Sequence, residues 1–323
     1  MEIIKIRDLE ADKKTVTVVL VASIEEHETQ TGSVYCRLAL SDGESQILAN
    51  LWNTSKEDLL KKVSEKTLIT AELYPKVYKG ALGYELKRYS AAPAECRIED
   101  FVIKAPMDSE KMFNEITTLV FRGVPEGNDG GTLATMVYNI YHKYYNNILY
   151  WSAAKSVHHN FYGGLLYHTL RMLRAAIMVS KVYPVDIELL FAGVALHDIG
   201  KLVELDTDSL GVADYSIDGT LFGHTLLGIQ IIDDEARENP IYNPEKVKML
   251  KHMLASHHGQ LDWGAITLPA IPEAMMLHEI DMIDSRMMQF EDVYGKLENG
   301  EMSDRIFGLG TSIYKPDYNG RGE

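Results

Sequence analysis

Two patterns of hydrophobic spacing divide the chain. Over roughly the first 90 residues, apolar and polar positions alternate in short runs rich in Val, Ile, Leu, Thr and Tyr, the period of a half-buried strand. Strands are predicted at Thr15–Ser23, Val34–Ser41, Ser45–Trp52, Thr67–Tyr74 and Tyr84–Tyr89. Asp42-Gly43 is a hairpin signal between the second and third. A short helix, Ser55–Lys62, capped by Thr54 or Ser55, is predicted between the third and fourth. That order matches the five-stranded OB barrel, a fold that commonly binds oligonucleotides on its second and third strands.

After a mixed stretch bracketed by Pro93 and Pro106, the spacing turns helical, first at Met112, Ile116, Leu119 and Val120. Further helices are predicted at Thr132–Leu149, Gly164–Lys181, Asp186–His197, His224–Glu238, Pro244–His258 and Pro272–Phe290, with Pro244 and Pro272 in first turns. The expected architecture is a multidomain α and β protein. Residues 1–92 form an OB-fold barrel, 93–107 a linker, and 108–318 an all-α helical bundle; Asn319–Glu323 is a frayed end.

Composition narrows the class. Of 323 residues, 46% are hydrophobic and 24% charged, ordinary values for a globular protein. The opening MEIIKIRDLEADKK lacks the apolar core of a signal peptide, no run is long enough to span a membrane, and Cys36 and Cys96 fit no metal or redox spacing. A cytoplasmic protein without membrane association is expected. The net charge of −15 disfavours coating nucleic acid by charge alone. Residues 1–93 carry 13 Lys and Arg against 14 Asp and Glu, so almost all of the excess acid lies beyond them. A nucleic-acid surface is therefore sought in the first domain.

The chemistry concentrates in histidine. Nine of the eleven histidines fall between His158 and His278. His197-Asp198, in VALHDIGKL before Gly200, places an imidazole beside a carboxylate. This donor set suits Mn, Fe, Co, Ni or Zn better than Ca or Mg alone. One helix face cannot encircle an ion, so further donors must come from other helices of a bundle.

GGLLYHTL (Gly163–Leu170), ALHDIGK (Ala195–Lys201), GHTLLG (Gly223–Gly228), ASHHG (Ala255–Gly259) and LHEIDMID (Leu277–Asp284) resemble, in order and spacing, the HD superfamily of metal-dependent phosphohydrolases. With the OB-like domain in front and FGLGTSIYKP (Phe307–Pro316) at the end, nearly the whole chain resembles the YhaM family of 3′-5′ exoribonucleases. The resemblance implies His168, His197, Asp198 and Asp281 as ligands of a primary divalent ion, with Asp281 preferred to Asp284. It implies His224 with His257 or His258 for a second ion. Asp198, Lys201 and His258 are the expected catalytic groups, Lys201 meeting a substrate phosphate or, alternatively, only complementing a helix dipole. Gly164 stands where three-metal members carry an acidic residue, so two ions are expected, with manganese preferred over Co, Fe, Ni, Mg or Zn.

In the first domain, alternation puts Tyr35 and Arg37 on one strand face, and Val34, Cys36, Leu38 and Leu40 on the other. Tyr35, Arg37 and Trp52 are the candidate nucleic-acid contacts, with Tyr78 as a further platform, although barrel packing explains Trp52 equally well. His27, His142 and His252 read as ordinary structural histidines, and His278 as either a packing residue or a partner to a ligand. His158-His159 lines the site or marks a surface turn. Asp206, Asp208, Asp214 and Asp218 lack calcium-loop spacing and read as a solvated acidic loop.

The leading functional expectation is a 3′-5′ exoribonuclease that acts on single-stranded RNA, with DNA as a further substrate, and releases nucleoside 5′-monophosphates. Alternatives are a phosphodiesterase for small nucleotides or cyclic dinucleotides, and a nucleic-acid-binding module with a structural metal. Homo-oligomeric assembly is left open.

Overall fold

The structure, a computed structural model, describes residues 3–29, 32–78, 81–127, 131–153, 161–208, 211 and 213–318, without the side chains of residues 78, 81 and 99. The chain forms two compact units: Met1–Pro106 with Asp208–Val212, and Met107–Thr207 with Ala213–Glu323.

In the first unit, β1 (Thr15–Glu28), β2 (Val34–Ser41), β3 (Gln46–Trp52), β4 (Thr67–Tyr78) and β5 (Ala81–Ala91) close into a barrel of strand order β1-β2-β3-β5-β4. Bulges at Val21/Ser23 in β1 and at Lys87 in β5, opposite Glu72/Leu73, supply the bending that closure needs. In β2, Cys36, Leu38 and Leu40 are fully buried beside Val19, Ile69 and Leu73 and Tyr35 and Arg37 are not, as the alternation predicts, but Val34 is only half-buried and Ala39 and Ser41 are buried as well. Helix α1 (Lys56–Leu60) starts where Ser55 accepts from the Asp58 amide, and it inserts Leu59 into that core. At the β2–β3 turn, Asp42 Oδ1 accepts from the amides of Glu44 and Ser45, and Gly43 takes φ 85°. A Cβ on Gly43 would lie 2.4 Å from the Asp100 carbonyl. The stretch read as a linker therefore lies against the barrel. Phe101 and Val102 are buried, and Ser41 Oγ donates to the Phe101 carbonyl.

The second unit is built from α2 (Ser109–Leu119), α3 (Leu133–Lys143), α4 (Tyr145–Ile148), α5 (Gly164–Val179), α6 (Ile187–Leu196), α7 (Lys201–Glu204), α8 (Ile217–Glu238), α9 (Pro244–Ser256) and α10 (Pro272–Tyr294). Helix α6 is its axis. Every residue from Glu188 to Leu196 is buried, as expected of a helix apolar on all sides and packed against α3, α5, α9 and α10. Glycine sets two close approaches. A Cβ on Gly193 would fall 2.2 Å from the Met253 methyl, and one on Gly200 would fall 1.9 Å from the His224 carbonyl. The second contact locks the turn after His197-Asp198 onto α8.

One hairpin, β6 (Leu205–Thr207) with β7 (Ala213–Tyr215), interrupts the helices, and a second, β8 (Met302–Ile306) with β9 (Thr311–Tyr314), follows the last of them. The sequence pattern predicted neither, because strands of three to five residues show too few alternations. Asp206 and Asp214 pair across the first hairpin and are exposed, as is Asp218, whereas Asp208 is half-buried. Among the described residues, no helix is long and apolar enough to cross a membrane.

Candidate metal centre

The candidate ligands arrive on five segments: His168 on α5, His197-Asp198 at the end of α6, His224 on α8, His257-His258 at the end of α9, and Asp281 on α10. His224 follows a break in α8 at Gly223, which takes φ 69° and ψ 157°. Two groups have donor atoms all within 4.8 Å of one another: His168, His197 and Asp281, and His224, His257 and His258. Asp198 lies between the two groups. Its Oδ2 is 3.3 Å from His197 Nε2 and 3.9 Å from His168 Nε2, while its Oδ1 is 3.5 Å from His224 Nε2 and 4.0 Å from His257 Nε2.

Proton placement follows from what each ring nitrogen faces. His168 Nδ1 meets Asp284 Oδ2 at 2.8 Å, His197 Nδ1 the Val194 carbonyl at 2.9 Å, His224 Nδ1 Glu204 Oε1 at 3.0 Å, and His257 Nδ1 the Leu254 carbonyl at 2.6 Å. Carbonyls and carboxylates only accept, so all four Nδ1 atoms carry hydrogens. In the neutral rings, all four Nε2 lone pairs then point inward. Among the described residues His197 Nε2 is buried without a hydrogen-bond partner, and His224 Nε2 faces His257 Nε2 at 3.4 Å. Two lone pairs face to face beside buried carboxylates call for a cation between them. An imidazole anchored by its other N–H on a carboxylate or carbonyl is the usual dress of a metal-binding histidine. These residues therefore fit divalent ions, held by a mixed imidazole and carboxylate group on one side and an all-imidazole group on the other.

The two sides also differ electrostatically. Burial pushes the His168 imidazole down, but hydrogen bonds to Asp281 and Asp284 outweigh it and raise the pKa to about 9. Burial and the neighbouring His258, His197 and His224 instead hold His257 well below its ordinary value. Burial raises and Lys201 lowers Asp198, with a net pKa well below the ordinary carboxylate range. Burial lowers Lys201, yet Asp198 holds it above the ordinary lysine value.

Without metal, the raised pKa of His168 adds stability that is complete below about pH 6.5 and lost as pH rises through about 9. Metal competes with that same proton. At pH 7, binding at the His168 side should release about one proton, and its affinity should rise roughly tenfold per pH unit up to about pH 9. Calorimetric titration with Mn²⁺ in buffers of different ionisation enthalpy counts the protons; zero release would contradict this assignment.

The other expected residues take definite places. Lys201 Nζ donates to Asp198 Oδ2 at 2.7 Å, so its cation sits at the centre. Asp284 orients His168 from behind, and Arg171 Nε in turn donates to Asp284 Oδ1 at 2.5 Å. Asp281 faces His168 Nε2 at 3.3 Å. His258 lies beside His257, with ring centroids 4.1 Å apart and the planes tilted by 53°, among the donors of the second group. His278 Nδ1 donates to the His257 carbonyl at 2.9 Å, supporting that segment from α10. His252 Nε2 accepts from the Ala270 amide. His158, His159 and the side chain of Tyr78 lie outside the described residues.

In the first unit, strand register aligns His27 with Tyr35 and Tyr35 with Trp52. The His27–Tyr35 ring centroids are 5.4 Å apart and the Tyr35–Trp52 centroids 4.7 Å. Trp52 is 41% exposed, which places it on the surface and not in the barrel core. Arg37 lies over the Tyr35 ring and donates to Asn50 Oδ1 at 3.2 Å. Sequence reasoning read His27 as an ordinary structural histidine and did not single out Glu204 and Arg171. The pairing of β1 with β2 sets His27 beside Tyr35, while Glu204 and Arg171 are brought to the centre by packing that no local signal encodes.

The HD domain family matches residues 165–286, the segment that carries all of these donors. The chain thus contains an HD domain, the mark of a metal-dependent phosphohydrolase, preceded by an OB-like closed barrel. Among solved structures, the chain is similar to the second OB-fold domain of replication protein A from Methanococcus maripaludis, at 18% identity over 30% of this chain and 100% of that one, with a TM-score of 0.24. It is also similar to RecG bound to a three-way DNA junction, at 17% identity over 63% of this chain and 26% of that one, with a TM-score of 0.24.

Proposed function

We propose that this chain is a metal-dependent 3′-5′ exoribonuclease of the YhaM type, acting on single-stranded RNA, and on DNA as a further substrate, to release nucleoside 5′-monophosphates. The observation that carries the reading is the set of inward Nε2 lone pairs flanking Asp198. It suits two divalent ions better than a single structural one, with His168, His197 and Asp281 holding the first, His224, His257 and His258 the second, and Asp198 serving both. When bound, such ions supply Lewis acidity toward a phosphoryl oxygen and activate water near neutral pH. The protein's own part is to fix the donors. Asp284 and Glu204 orient His168 and His224, and Lys201 keeps a cation where a phosphate arrives. On the barrel, the row of half-buried His27 and Tyr35 and exposed Trp52, with Arg37 beside it, suits bases that stack and a backbone that needs countercharge.

The test is incubation of the full chain with Mn²⁺ and 5′-labelled single-stranded RNA, with small nucleotides and cyclic dinucleotides in parallel. A ladder shortened from the 3′ end and abolished by EDTA is expected. Intact RNA beside hydrolysed small nucleotides would overturn the nuclease reading in favour of a small-molecule phosphodiesterase.

A further inference from the structure

In the chain, Trp263 falls between His258 of the second donor group and α10, in a single-turn helix, Leu261–Trp263. It is 48% exposed, although tryptophan rings are on average largely buried. Its segment is nonetheless firmly tied. The Trp263 and Ala265 amides donate to the Gln260 carbonyl, and the Ile266 amide donates to that of Ala255. Gly264 takes φ 94°, and a Cβ on it would lie 3.4 Å from His258 Nδ1, so the turn rests against a candidate ligand. The indole centroid is 6.1 Å from that of His278, at an interplanar angle of 43°. His278 and Asp281 are three residues apart on α10 and so share a helix face. The indole is therefore a half-exposed aromatic surface beside His278, which itself lies one helical turn from the candidate ligand Asp281.

We propose that Trp263 is the stacking platform for the base of the 3′-terminal nucleotide, so that the centre selects chain ends bearing a nucleobase. This rests on the nuclease reading above and adds a recognition element that the barrel does not provide. Stacking on an indole is tolerant of base identity, since every base offers a π-face. All four nucleotides should therefore be accepted, and a terminal ribose without a base rejected.

The test compares removal of the 3′-terminal unit from two otherwise identical RNAs, one ending in adenosine and the other in an abasic ribose, by the full chain with Mn²⁺. The wild-type protein is expected to favour the base-bearing end by about 5- to 100-fold in kcat/KM, expressed mainly in KM. Trp263→Ala should bring that ratio close to one, and Trp263→Phe should retain most of it. The ratio is internal to each variant, so partial loss of folded protein cancels. An unchanged ratio in Trp263→Ala would overturn the stacking role while leaving the nuclease reading intact. Failure of the wild-type protein to shorten either RNA would overturn both.

Discussion

Asp198→Asn is expected to reduce turnover by about 10³-fold or more and to lower bound metal from two ions to at most one per chain. Asp198 is the only carboxylate with separate oxygens within 4.0 Å of donors from both groups among the described residues. Asparagine keeps the shape but offers a neutral oxygen to one side and an N–H to the other. Metal assistance contributes several kcal/mol of charge stabilisation, and each 1.4 kcal/mol is about tenfold in rate. The amide oxygen can still accept from Lys201, so the helical fold should persist. Activity assays, elemental analysis and circular dichroism on the same preparation separate the three effects. Turnover at the wild-type rate would end the proposed mechanism.

Addition of Mn²⁺ to metal-free protein is expected to raise the melting temperature of the helical unit by roughly 5 to 10 °C at a cation concentration about 100 times its Kd. Binding only to the folded state contributes about 2.7 kcal/mol at that ratio, and a unit of this size shifts by about 2 to 4 °C per kcal/mol. The facing nitrogens of His224 and His257, 3.4 Å apart, are the local reason the metal-free state is penalised. Asp198→Asn should lose much of this shift. Scanning calorimetry with and without EDTA checks it; an unchanged melting temperature would argue against tight binding at this centre.

Local pattern carried much of this architecture. Cys36, Leu38 and Leu40 alternate because a strand has period two, and Tyr35 and Arg37 were readable on the opposite face for the same reason. Helix α6 was legible as a continuous apolar run, and the His197-Asp198 pair as a donor set at its end. The short hairpins were not legible, because β6 and β7 have three residues each and are held by pairing across a turn more than by side-chain alternation. The stretch at 93–107 resembled a linker in composition, but the buried Phe101 and Val102 pack it onto the barrel.

Residue type and spacing alone determined that imidazoles and carboxylates would be supplied by several helices, since each short motif carries its own donor. Tertiary structure alone decided which nitrogen of each ring faces the centre, that Asp198 stands between the two groups, and that Trp263 lies half-exposed beside His278. His168 meets Asp284 across 116 positions of chain, and His224 meets Glu204 across 20. A ring's tautomer is set by the acceptor behind it, and that acceptor comes within reach only when distant helices pack.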